Sequence, residues 1–215
     1  LHDRLERARE TMSPTDRFGR ISGMLETAEN LAKSHEITRE RQDEFALNSH
    51  KKAVAAIEQG KFNQEIVPVL IPQRKGSPIT FDMDEGPRSD TSMDQLAKLR
   101  PVIENGTVTA GNASSQNDAA SVCLVVAEDK LEELSLQPMA YLKGWAASGV
   151  HPACMGIGPV PAVEKLFEKT GLGWQDIDLI EINEAFSAQV LAVLQEWKLP
   201  NEDIVNVNGS GISLG

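Results

Sequence analysis

Three stretches of this 215-residue chain set small, polar and glycine residues where a backbone could close on a reacting group. Asn183-Glu184-Ala185-Phe186 follows the apolar run Ile177–Ile182. At the carboxyl end of a strand, side chains meet the crevice in which α/β proteins take ligands. Gly106 to Ala120 is a run of Gly, Thr, Asn, Ser and Asp that offers fixed donors and acceptors beside an approachable backbone. Asn206 to Gly215 carries two apolar strand positions into a glycine-rich turn. Residue types alone also suit plainer roles: Asn183 as a helix N-cap, and Asn112 or Ser114 capping a helical turn. Ending on that glycine-rich run, the chain reads as interrupted within a site loop, and part of its chemistry is expected outside these residues. The charged opening at Leu1 reads the same way, less clearly.

The elements that position these stretches follow from periodicity. Leu1–Met12 and Gly23–His35 read as helices. A longer helix is expected after Thr38, an N-cap, with Glu40 in its first turn and Gly60 as its stop. Phe45, Ala46, Ser49, Ala53, Val54 and Ile57 share one face at helical spacing. Glu65–Pro72 reads as a short strand broken by Pro68, Arg74 to Ser92 as a surface loop, and Ser92–Leu99 as a short helix. Beyond Pro101, strands at Thr107–Ala110, Ser121–Ala127, Ile177–Ile182 and Ile204–Val207 alternate with helices. The helices lie over Asp129–Leu136, then in a segment with Pro161 in its first turn, Val163, Leu166 and Phe167 inward and Gly171 as its stop, and over Glu184–Trp197 with Phe186, Val190, Val193, Leu194 and Trp197 on one side. Pro138–Gly149 reads as extended. The pattern predicts a helical, loop-rich first half joined to a layered α/β second half.

Composition narrows the function. A hydrophobic share of 40% can build a core, and 25% charged residues suit a soluble protein. A formal charge of −11, from 32 acidic and 21 basic residues, argues against a nucleic-acid partner. No apolar run approaches the roughly 20 residues that a membrane span needs, and no signal peptide is read at the start. Cys123 and Cys154 form no CxxC, which argues against a disulfide scaffold or a zinc site, and no metal is expected. A cytoplasmic location, or an organelle matrix in a eukaryote, is the expectation.

Taken in order, the motifs resemble those of the thiolase family. They are Thr27-Ala28-Glu29-Asn30 after Met24, Leu99-Arg100-Pro101, and Gly106 to Ser114 with Asn117-Asp118. Met155-Gly156-Ile157-Gly158-Pro159-Val160-Pro161-Ala162, Asn183-Glu184-Ala185-Phe186 and Val207-Asn208-Gly209 complete the set. One such match is weak, but six in register across nearly the whole chain are specific. The likeness is to acetyl-CoA acetyltransferases and 3-ketoacyl-CoA thiolases. It implies an α/β, layered thiolase-like fold: a helical loop domain plus αβ catalytic-domain portions. The implied division is a CoA-binding loop domain over 1–105, the end of the N-terminal thiolase domain over 106–137, and the first part of the C-terminal domain over 138–215.

The resemblance also implies roles. Asn183 corresponds to the family asparagine that orients a water in the oxyanion hole for the thioester carbonyl, a task that suits a neutral amide. Met24 and Met155 correspond to methionines walling the acyl and pantetheine pocket. Ala110 and Ser114 match positions that contact the pantetheine arm, and Phe186 is carried over as a substrate-contacting position. Arg88 aligns with an arginine lying against the CoA nucleotide, where guanidinium can stack and meet phosphate. Read in isolation, the methionines are core residues and Arg88 a solvated one. Coenzyme A enters as a substrate, no resident cofactor is implied, and acyl-CoA, CoA and further copies in a homo-dimer or homo-tetramer are the implied partners.

Neither cysteine matches a family cysteine, and none of His2, His35, His50 and His151 matches the family histidine. The resemblance implies that the nucleophile, the activating histidine and the acid/base cysteine lie outside the 215 residues. Gly215 resembles the Gly immediately before the family's His, and His-Pro after it would favour catalysis over a binding module. Gly23 stands where many members have His, and Ser115, Gln116, Ala119, Ser210, Gly211 and Ser213 also depart from the commonest pattern. The alternatives are a non-catalytic thiolase-like acyl-CoA-binding protein and a ketoacyl synthase relative acting on carrier-protein thioesters. Arg88 and its loop domain disfavour the latter.

Overall fold

The computed structural model describes residues 23–215. The helix expected over Leu1–Met12 lies outside them. Helix α1 spans Met24–Ser34 and α2 spans Arg39–Glu58. As expected, Thr38 caps α2: its hydroxyl accepts from the Arg41 N–H at 3.2 Å. The inward stripe of α2 is rotated from the expected one. Gln42, Asp43, Ala46, Ser49, His50, Ala53 and Ala56 are buried, whereas Phe45, Val54 and Ile57 are only half-buried. This helix turns a small and polar face inward, where Gln42, Asp43 and Ser49 hydrogen-bond loop residues Thr107, Asn112 and Ser213.

Strands β1 (Val69–Ile71) and β2 (Ile79–Phe81) form an antiparallel hairpin with Leu70 opposite Thr80. The surface loop expected from Arg74 to Ser92 therefore contains a strand. Helix α3 is Met93–Ala97, capped by Ser92, and α4 is Pro159–Thr170. Helix α4 opens with Pro161 in its first turn, as expected, and stops where Gly171 takes a left-handed φ of 71°. Helix α5, Ser187–Trp197, begins three residues later than expected.

Of the expected strands, Ile177–Ile182 and Ile204–Val207 do meet, in a parallel bridge between Ile180 and Val205. Thr107–Ala110 is a turn held by side chains, and Ser121–Ala127 has no ladder partner among the described residues. A strand is stable only when its N–H and C=O groups are paired. Between Asp129 and Leu136 the expected helix shrinks to a 3₁₀ turn at Glu128–Lys130 with irregular turns after it.

The core surrounds α5. Val190, Val193, Leu194 and Trp197 join Ile182 and Val205 in one cluster, while Leu191 and Ala192 join Leu31 and Ile37 in another. Being buried nearly all round marks α5 as a central helix. Trp174 seals one end, its ring 4.9 Å from Phe167 and 5.1 Å from Trp197. This rigid block carries the loops that form the site.

Candidate functional site

Three buried or half-buried carboxylates each clamp a loop. Glu29 on α1 accepts the N–H groups of Thr107 and Val108, both at 2.7 Å, and the Thr107 hydroxyl at 2.9 Å. Asp43 on α2 accepts the Asn112 amide at 2.9 Å and is paired with Arg39 Nε at 2.8 Å. Asn112 in turn accepts from the Thr109 N–H at 2.8 Å, and its carbonyl receives the Ser187 N–H at 2.9 Å. Asn112 is thus a buried loop clamp, not the cap of a helical turn. Charge-assisted hydrogen bonds of this kind are stronger than neutral ones, so each loop is held in one shape before any ligand arrives.

The third clamp is Glu184, which is 1% exposed. It accepts Ser49 Oγ at 2.5 Å, Asn206 Nδ2 at 2.9 Å and the Ile212 N–H at 3.3 Å. Asn206, at a left-handed φ of 47°, also spans the Ile182 backbone. Its Oδ1 accepts the Ile182 N–H at 2.8 Å and its Nδ2 donates to the Ile182 carbonyl at 2.9 Å. The turn after it lies directly on α2. A side chain on Gly209 would come within 2.7 Å of the Ala53 methyl, and one on Gly211 within 2.7 Å of Asn183 Oδ1.

Two cavities open over these loops and share Leu214 as a lining residue. The larger, about 910 Å³, is bordered by Arg88 and Ala110 as well as Leu96, Leu99 and Ser115. Its rim also carries Asp84, Glu85, Asp90 and Asp118. The smaller, about 420 Å³, is bordered by Asn183, Glu181, Asn208, Ser210 and Gly211. Asn183 does not cap α5; that position belongs to Phe186. Among the described residues, none hydrogen-bonds the Asn183 amide, which leaves it free at the cavity wall.

The other expected site residues fall in different places. Ser114 lies beside the larger cavity without lining it; its N–H donates to the Ala185 carbonyl at 2.9 Å, next to the antiparallel bridge between Ala113 and Phe186. Phe186 is half-buried in that bridge and borders neither cavity. Met24, on α1, and Met155, in the 3₁₀ turn Pro152–Ile157, are both exposed. Their elements pack together, and Asn30 Nδ2 donates to the Ala153 carbonyl at 2.9 Å. Cys123 and Cys154 border neither cavity.

Sequence reasoning missed His50. It lines the larger cavity, and its Nδ1 accepts the Arg88 N–H at 3.2 Å, anchoring the loop that carries that arginine. Burial and the nearby Arg88 charge hold its pKa below the usual histidine value, against an opposing pull from Asp90. Burial and the neighbouring Glu184 raise the pKa of Glu181, while Lys52 pulls it down. The available signal was the run of polar residues, Gln42, Asp43, Ser49 and His50, along an otherwise inward helix face. Among the described residues, no group of His, Cys, Asp and Glu is arranged to hold a metal, and no helix is long and apolar enough to cross a membrane.

Comparison with known proteins places these features. Residues 5–129 match the family model described as the thiolase N-terminal domain, and residues 136–215 match the thiolase C-terminal domain. A probable acetyl-CoA acyltransferase of Staphylococcus aureus strain COL is 54% identical over 190 residues, covering 88% of this chain and 48% of that protein. The counterpart in strain N315 matches to the same extent. The crystal structure of the Bacillus anthracis acetyl-CoA acetyltransferase aligns with a TM-score of 0.86 at 50% identity, over 90% of this chain and 49% of that one. The chain spans about half the length of the curated relatives it matches.

Proposed function

The chain belongs to the thiolase family and has its layered α/β fold, and from that premise we propose that it serves an acyltransferase that makes or cleaves 3-ketoacyl-CoA. In the cleaving direction, a cysteine thiolate adds to the 3-keto carbonyl and the C2–C3 bond breaks. The two-carbon fragment leaves as acetyl-CoA after taking up a proton, and the acyl group stays on sulfur. The thiol of free CoA then attacks this acyl-enzyme, carries the acyl group away and restores the cysteine. Condensation runs the same steps backwards. On this reading the sulfur comes from outside these residues; Cys123 and Cys154, which match no family cysteine, border neither cavity. On the same reading the activating histidine also comes from elsewhere, since His50, which lines the larger cavity, serves to anchor the Arg88 loop.

One observation carries the reading: an uncommitted amide, Asn183, projects at a cavity that adjoins the one lined by Arg88 and Ala110. There the amide holds a water against the oxygen of a thioester carbonyl as negative charge develops on it, and being neutral it needs no proton exchange to do so. Arg88 supplies the cation for the CoA nucleotide, on a rim otherwise acidic. Ala110, which lines the larger cavity, is assigned to the pantetheine portion. Met24, Met155, Ser114 and Phe186 border neither cavity and are assigned to the acyl and pantetheine portion on the family resemblance alone. Coenzyme A is a substrate, with no resident cofactor, and the working protein is a homo-dimer or homo-tetramer. The division into a loop domain over 1–105 and catalytic portions over 106–137 and 138–215 belongs to the same proposal.

The test is thiolysis of acetoacetyl-CoA by free CoA, followed as loss of the ketoacyl thioester, using the whole protein its gene encodes. Asn183→Ala is expected to lower kcat by roughly 100- to 1,000-fold, the usual effect of losing an oxyanion donor. No thioester loss by the unaltered protein, or full activity in Asn183→Ala, would overturn the reading.

A further inference from the structure

Among the described residues, Glu184 is a buried carboxylate with no cation in contact: its three partners there are a hydroxyl, an amide and a backbone N–H. Keeping a charge out of water without a counter-ion is costly, and the cost is offset only if the surrounding donors are held in place. Those donors come from three separate parts of the chain. Ser49 is on α2, Asn206 ends the segment paired with Ile180, and Ile212 lies in the terminal turn. Ser49 Oγ also meets Ser213 Oγ at 2.9 Å, and Ser213 in turn donates to the Ser210 carbonyl at 3.1 Å.

Asn183 sits at the centre of this arrangement without joining it. The residue before it is locked through Ile182, whose N–H and C=O are both taken by Asn206, and Ser210 Oγ adds a third bond at 3.2 Å. The residue after it is locked through Glu184. Gly211, in the turn that Glu184 holds by the Ile212 N–H, leaves room for Asn183 Oδ1. Both neighbours are buried, while Asn183 alone is exposed to the cavity. This is how a fold aims one amide without using up its hydrogen bonds.

We infer that Glu184 is a positioning residue for catalysis: its carboxylate, by clasping Ser49, Asn206 and Ile212, sets the direction of the Asn183 amide and the wall that faces it. The inference rests on the thiolase reading above. Misplacing a catalytic group by about 1 Å can cost on the order of 100-fold in rate. Of the three clasped groups only Ile212 borders the larger cavity, and Arg88 and Ala110, which also line it, have no bond to Glu184.

The experiment compares the unaltered protein with Glu184→Gln, Ser49→Ala, Asn183→Ala and the Asn183→Ala/Glu184→Gln double variant in thiolysis. Glu184→Gln keeps the shape and turns one acceptor into a donor, facing donors. It is expected to lower kcat by roughly 10- to 100-fold with KM nearly unchanged, and Ser49→Ala is expected to lower kcat less. In the Asn183→Ala background, Glu184→Gln should cost nothing further, because there is no amide left to aim. Equal kcat in Glu184→Gln and the unaltered protein, or an additive double variant, would overturn the inference while leaving the Asn183 effect intact. Amide hydrogen exchange reads the clasp without activity: Glu184→Gln should speed exchange at Ile182 and Ile212 and leave Val193 in α5 unchanged. Unchanged exchange at Ile182 and Ile212 would overturn it, even in a protein that showed no thiolysis.

Discussion

The segment from Ser121 to Val125 and helix α5 are alike in composition and opposite in fate. Val122 is 97% exposed and Val125 84%, whereas Val190 and Val193 are fully buried. Both runs are apolar, and among the described residues only α5, of the two, finds neighbours to bury against. The helix closes its backbone hydrogen bonds within itself and needs only side-chain neighbours, which α1, α2, α4 and the 3₁₀ turn Pro152–Ile157 supply. An extended segment must find its backbone partners elsewhere, and the described residues offer Ser121–Val125 none. Met139, Leu142 and Trp145 share its condition, though Lys169 Nζ lies 5.2 Å from the Trp145 ring. The clamped loops resemble α5 rather than this segment, because buried carboxylates supply their missing partners.

Substitution separates the two regions most sharply. Leu194→Ala removes packing from the cluster around Trp197 and is expected to cost about 2–5 kcal/mol of unfolding free energy. Val122→Ala should stay within about 0.5 kcal/mol, as a surface change does. Urea unfolding of both variants of this chain provides the measurement. A Val122→Ala loss comparable to that of Leu194→Ala would show that the segment is packed after all, and the contrast would fail.

What the sequence made legible follows the same division. The Thr38 cap, the Gly171 stop and the spacing of Val190, Val193, Leu194 and Trp197 are signals written within a few residues of the structure they specify. The hairpin at Ile79–Phe81 was hidden because Ser77-Pro78 and the acidic run after Phe81 read as loop on both sides of a three-residue strand. The clamps were invisible for another reason. Ser49 and Glu184 are 135 positions apart, and no local pattern tells a buried acid from a solvated one. Asn183 stood out as a cap or a site residue. The start of α5 at Ser187, four residues further on, removes the cap reading.

A second, smaller test concerns the loop held by His50. Its pKa lies below the usual histidine value of about 6.5, so the folded chain binds this proton less readily than the unfolded one. Stability should then fall as pH drops through about 6.5 towards the lowered value, and recover above it. Protonated Nδ1 could no longer accept the Arg88 N–H, and the added charge would face Arg88, with Asp90 only partly offsetting it. His50→Asn keeps an acceptor near the same place and does not titrate. Its melting temperature should lose part of the fall seen in the unaltered chain between about pH 7.5 and about pH 5. An identical fall in both would remove His50 as a source of acid sensitivity.

The smallest effect expected tests the comparison within a single segment. Glu181 and Glu184 are three residues apart, but only Glu184 has a shell of donors. Burial, then the Glu184 charge, raises the Glu181 pKa above its ordinary value of 4.5. A carboxyl with a raised native pKa favours the folded chain fully below its ordinary value and loses that contribution as pH rises through the raised one. At neutral pH the ionised Glu181 therefore opposes folding, by a small amount because the residue is exposed and solvent screens it. Glu181→Gln should raise the melting temperature slightly near pH 7 and leave it unchanged well below the ordinary carboxyl range. Glu184→Gln should lower it at neutral pH, since there the charge is what the donors were built around. Two carboxylates on one short segment would then respond to the same substitution with opposite signs. If both variants shifted the same way at neutral pH, proximity of like charge rather than the presence of donors would govern this wall of the site, and the clasp at Glu184 would lose its physical basis.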